Sequence, residues 1–100
     1  MNWKNEALNE LKLYPQRLKT LSEEINPTEA DIIKRLISIT DNGLLCIGEQ
    51  AAALLKETYI NGLKTRELCR RLDITPYELR ERTDKALSSF TIALYGVTEI

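Results

Sequence analysis

One hundred residues, 43% hydrophobic and 29% charged with a formal net charge of −1, describe one compact domain or a small domain carrying an extended helix. The chain has no histidine, and its two cysteines, Cys46 and Cys69, are isolated from each other, which leaves no imidazole base or Cys–His pair and argues against a zinc site. It also lacks an apolar run long enough to cross a membrane, a secretory leader, a glycine-rich phosphate loop and a nucleotide fingerprint, so an enzyme, a cofactor and a membrane role are all against expectation.

Few β-branched runs and a recurring 3.6-residue apolar period predict an all-α fold: a small helical domain with a C-terminal helix-turn-helix and amphipathic N-terminal helices. Residues 1–26 read as an amphipathic N-terminal segment ahead of a helical domain at 27–100, with the motif at about 64–90. In the first segment, residues 2–25, the positions Ala7, Leu11, Tyr14, Leu18, Leu21 and Ile25 form a heptad-like seam. Pro15 interrupts it and removes one helical hydrogen bond, so the segment is expected to kink or to split. Trp3 is placed to anchor it on the body of the domain. The seam has two readings: it completes the intramolecular core, or it pairs two copies as a homodimer.

Asn26-Pro27-Thr28-Glu29 opens a second helix, with a capping side chain, a proline where its missing N–H is harmless, and a glutamate three residues on. Ile32, Ile33, Leu36 and Ile37 lie along it, and Asp41-Asn42-Gly43 is expected to end it. Leu44–Gly48 reads as the opening of a third helix or a tight connection into it. The third helix runs from Ala51 to Ile60 with Ala52, Leu55 and Tyr59 inward, and Asn61-Gly62 closes it with a left-handed cap.

The next stretch bears on function. A short helix over Thr65–Leu72, a turn at Asp73-Ile74-Thr75 and a helix from Pro76 to Tyr95, stopped by Gly96, make a helix-turn-helix. Thr75 caps the second helix, Pro76 takes its first position and Glu78 is placed to close a capping box. Leu68, Cys69, Leu72, Ile74, Leu79, Ala86 and Leu87 are expected to form the core of the motif, Phe90 continues the inward face, and Cys69 is expected to be buried at the closest approach of the helices. Both thiols are expected to be reduced, as in a cytoplasmic protein.

Leu72-Asp73-Ile74-Thr75, Leu79-Arg80 and Lys85-Ala86-Leu87 resemble the helix-turn-helix of the fourth conserved region of sigma-70 factors, and Tyr59-Ile60-Asn61-Gly62-Leu63 is similar to the segment preceding that motif in many sigma-like regulators. The stretch from Leu11 to Lys19 looks like the leading helix of small phage-encoded regulators of this type. The resemblance covers about the last forty residues most clearly. It implies a DNA-binding transcription regulator. It does not imply an ordinary promoter target, because the base-reading places after the turn, commonly Arg and Glu in that family, hold Pro76 and Tyr77, and a further place, usually Gln, holds Glu81.

Residues 61–100 carry seven basic and six acidic side chains, and the basic ones crowd into the motif. A helical wheel puts Tyr77, Glu81, Asp84 and Ser88 outward on the second motif helix, flanked by Glu78 and Lys85 on one side and Arg80 on the other, with Arg82 nearer the packed face. The candidate contacts to duplex DNA are Lys64, Arg66, Arg70 and Arg71 for phosphates, with Thr75 holding a phosphate through the helix amino terminus. Tyr77 and Glu81 are expected to carry sequence choice, and Glu78, Arg80 and Lys85 complete the site at their flanks. The near-neutral charge and the acidic Glu81 and Asp84 keep one rival, a protein-interaction module binding RNA polymerase or another regulator; the helix-turn-helix itself keeps a second, a viral DNA-packaging recognition subunit.

Overall fold

A computed structural model describes residues 2–96. It is all-α. Five helices follow in order: α1 (Trp3–Ser22), α2 (Pro27–Cys46), α3 (Glu49–Leu55), α4 (Thr65–Leu72) and α5 (Pro76–Tyr95), with a π-helical turn at Lys56–Ile60 between α3 and α4. No helix among the described residues is long and apolar enough to cross a membrane.

Local chemistry sets most boundaries. Asn2 accepts from the Asn5 amide at the start of α1, and Asn26 Oδ1 accepts from the Glu29 amide at 2.8 Å at the start of α2. Gly48 (φ 91°) leads into α3, while Gly96 (φ 67°) closes α5. The segment read as one helix from Ala51 to Ile60 instead begins at Glu49 and widens into the π turn. Its local marks are the Asn61 amide bonding the Lys56 carbonyl at 2.8 Å and the Thr58 hydroxyl donating to the Leu54 carbonyl at 2.8 Å.

Two expected helix ends are absent. α1 does not split at Pro15 and runs from Trp3 to Ser22. It is pinned on the body side of that proline, because Leu11 is fully buried and Tyr14 Oη donates to Asp41 Oδ1 of α2 at 2.8 Å. Burial first, then this bond and the Asp41 charge, raise the Tyr14 phenol above its ordinary pKa. Likewise α2 does not end at Asp41-Asn42-Gly43 but continues to Cys46. Gly43 is a packing residue: a Cβ there would lie 2.9 Å from Phe90 Cε1 and 3.0 Å from Leu94 Cδ2. Its cost in helix propensity, about 1 kcal/mol, is offset by the close approach of α5.

The core gathers Ala7 and Leu11 of α1, Leu44 of α2, Leu55 of α3, and Ala86, Leu87 and Phe90 of α5. α5 packs on α1, α2, α3 and α4 and is the central helix. Trp3 anchors α1 as expected, its ring centroid 4.8 Å from that of Tyr95 with the planes tilted by 40°. Both readings of the α1 seam find part of their ground: Ala7 and Leu11 are fully buried, whereas Leu18, on the same helical face as Leu11, is 46% exposed. No residue from 12 to 39 is buried. The far halves of α1 and α2 thus form a two-helix arm with a bare apolar side, on which Ile32 and Ile39 also lie open.

Candidate nucleic-acid interface

The helix-turn-helix has the predicted limits. α4 ends at Leu72, and Asp73 takes a left-handed conformation (φ 54°) that lets the Ile74 amide reach back to the Cys69 carbonyl at 3.1 Å. Asp tolerates this conformation better than most side chains because its short carboxylate can bond locally. Leu68, Leu79, Ala86 and Leu87 are buried as expected. Three expected core residues are not: Leu72 is 44% exposed, and Ile74 and Cys69 are half-buried. The reason is that α4 is only eight residues long and rests on α5 at Leu68, so the ends of its apolar stripe have nothing opposite them.

The amino terminus of α5 is more self-contained than a capping box alone implies. Thr75 Oγ1 accepts from the Glu78 amide at 3.1 Å, but Glu78 does not reach the Thr75 amide; its carboxylate accepts a hydrogen bond from the Thr75 hydroxyl at 3.3 Å. Pro76 has no N–H, and the Leu79 amide bonds the Thr75 carbonyl at 3.0 Å. Of these first-turn amides Tyr77 alone is left for a phosphate, and the Glu78 carboxylate already occupies the positive end of the helix.

All ten candidate contact residues are exposed, and the structure divides them. Lys64 stands at the N-cap of α4, with Arg66 and Arg70 one turn apart on its outer side; none of the three has an ion pair among the described residues. Arg71 turns the other way and bonds Glu57 of the π turn at 3.3 Å. With Arg82 and Lys85 of α5 it rims a groove between α3, α4 and α5. Tyr77, 67% exposed, and Glu81 lie on the open face of the first turns of α5, and Arg80 flanks a smaller cleft on the other side of that helix.

The open face of α5 is short. Asp84, expected to mark where contact ends, is bonded to Lys4 of α1. Ser88, expected to point outward, is half-buried, and Thr91 is fully buried. The first turns of α1 reach α5 here, so the open face that carries Tyr77 and Glu81 stops short of Ser88, while Arg82, Lys85 and Ser89 stay exposed along the groove side. The Asp84 charge also acts on Tyr59: burial first, then this carboxylate, raises its phenol pKa.

The chain matches no protein-family model, no curated protein and no solved structure. The site therefore rests on its own geometry. Two features had little or no signal in the sequence. The Lys4–Asp84 pair joins residues eighty positions apart. The groove rimmed by Arg71, Arg82 and Lys85 left one trace, since Leu72 is apolar at a position where a short helix cannot cover it.

Proposed function

We propose that this chain is a transcription regulator that binds duplex DNA through the α4–α5 helix-turn-helix. One observation carries the reading: the first turns of α5 present Tyr77 and Glu81 uncovered, and Arg66 and Arg70 stand exposed and unpaired on α4, while the later turns of α5 pack on α1, α2 and α3. A reading helix needs this arrangement, rigid behind and open at its amino-terminal end. The resemblance of Leu72–Thr75, Leu79-Arg80 and Lys85–Leu87 to sigma-70 region 4, and of the leading helix to phage regulators, supports the same class. Lys64, Arg66, Arg70 and Arg80 meet phosphates in this reading; Tyr77 offers a thymine methyl or phosphate contact, and Glu81 accepts from a cytosine amino group. Glu78 serves the cap. With so few free cations, the affinity of one copy is modest and strongly salt-sensitive.

Selection from random duplex DNA at low and at moderate salt tests this. An enriched motif is expected. Absence of binding at low salt contradicts it and favours the second reading, a module that binds RNA polymerase or another regulator. The specific observation behind that second reading is the open apolar groove between α3, α4 and α5.

A further inference from the structure

Two bare surfaces remain that DNA binding does not use. The first is the groove, about 860 Å³, with Leu54, Leu68, Leu72 and Ala86 among its apolar lining and Arg71, Arg82 and Lys85 on its rim. Glu57 offsets only one of these cations, through Arg71. The second is the arm tip. Between Leu18 and Ile32 the chain carries one basic side chain, Lys19, and four acidic ones, Glu23, Glu24, Glu29 and Asp31. All four acids are exposed, and Leu18 and Ile32 are 46% and 53% exposed beside them.

The two surfaces complement each other. One is concave, apolar and basic at its edge; the other is a projecting helical hairpin, apolar on one side and acidic at its end. We infer that a second copy of this chain covers the groove, inserting its arm tip so that Leu18 and Ile32 meet the apolar floor and Glu23 and Glu24 face Arg82 and Lys85. Made reciprocally, the contact closes a two-fold dimer with two equivalent copies of the same interface. One interface thereby covers this groove and the apolar arm together, in a chain small enough to gain substantially from added burial. The inference stands apart from DNA binding: neither Arg82 nor the arm tip belongs to the proposed DNA surface.

Charge reversal tests it on the whole chain. In Arg82→Glu/Lys85→Glu, an acidic tip meets an acidic rim; in Glu23→Lys/Glu24→Lys, a basic tip meets a basic rim. Every substituted residue is exposed, so the fold should hold, and melting curves check that it does. By sedimentation velocity the parent should associate with rising concentration, and each variant alone should associate at least about tenfold more weakly. Mixing the two variants in equal amounts makes both contacts attractive again, basic tip to acidic rim and acidic tip to basic rim, and should restore association. A monomeric parent at every concentration overturns the inference. So does undiminished association of either variant alone, which would place the interface elsewhere, for instance arm against arm. Failure of the mixture to recover overturns it as well.

Discussion

The two ends of the α1–α2 hairpin are built from the same helices and the same seven-residue seam, yet only one end has a core. At the body end Phe90 drops onto Gly43, and Ala7, Leu11 and Leu44 close around it. At the arm end the seam continues through Leu18 and Leu21 with no third helix to cover it. Burial therefore follows from what lies opposite, and the helical pattern only makes it available. The same contrast recurs within α5, whose later turns are locked under α1 while its first turns stay open.

The largest expected effect comes from truncating the seam at each end. Leu11→Ala should cost about 2–5 kcal/mol, as for a fully buried leucine, whereas Leu18→Ala in the monomer should stay within about 0.5 kcal/mol. Equal losses in urea melts of both variants would erase the distinction between body and arm.

Gly43→Ala sharpens the account of the body end, because two effects oppose each other. Helix propensity alone favours alanine by about 1 kcal/mol. Crowding of Phe90 and Leu94 costs about 1–3 kcal/mol. A net loss of stability is expected, and a gain would mean that α5 does not sit this close.

Asp73→Gly should stabilise by up to about 1 kcal/mol, since glycine takes the left-handed turn without strain. A loss on denaturant titration would show that the Asp73 carboxylate, and not its backbone, holds the turn.

A smaller effect separates the two sides of α4. Arg70→Ala should reduce the dependence of DNA affinity on salt by about 1 unit of slope, and Arg71→Ala by much less, because Arg71 is turned to Glu57. Equal changes in the two slopes would put both arginines on the DNA side.

What could be read from sequence was what local chemistry decides. Asn26-Pro27-Thr28-Glu29 and Thr75-Pro76-Tyr77-Glu78 announce their helices because capping depends on residues within one turn, and both caps form. Gly43 was misleading for the converse reason: Asp-Asn-Gly looks like a stop, but its meaning comes from Phe90, forty-seven positions further on. At Pro15 the choice between a kink and a split was not local: the packing of Leu11 and the Tyr14–Asp41 bond keep one helix. In the candidate site, exposure of Tyr77 and Glu81 followed from the wheel, whereas the covering of Ser88 and the tether on Asp84 depend on where α1 crosses. The opposite turn of Arg71 and Arg70 depends on where the π turn places Glu57, which no neighbouring residue encodes.

Amide hydrogen exchange of the full chain, with and without duplex DNA at low salt, tests the central division of the molecule directly. DNA should protect residues of α4 and the first turns of α5, about 64–81, and leave the arm at residues 12–39 unchanged. Protection centred on the arm, or none in α4 and α5 while DNA is bound, would contradict the assignment of DNA binding to the helix-turn-helix.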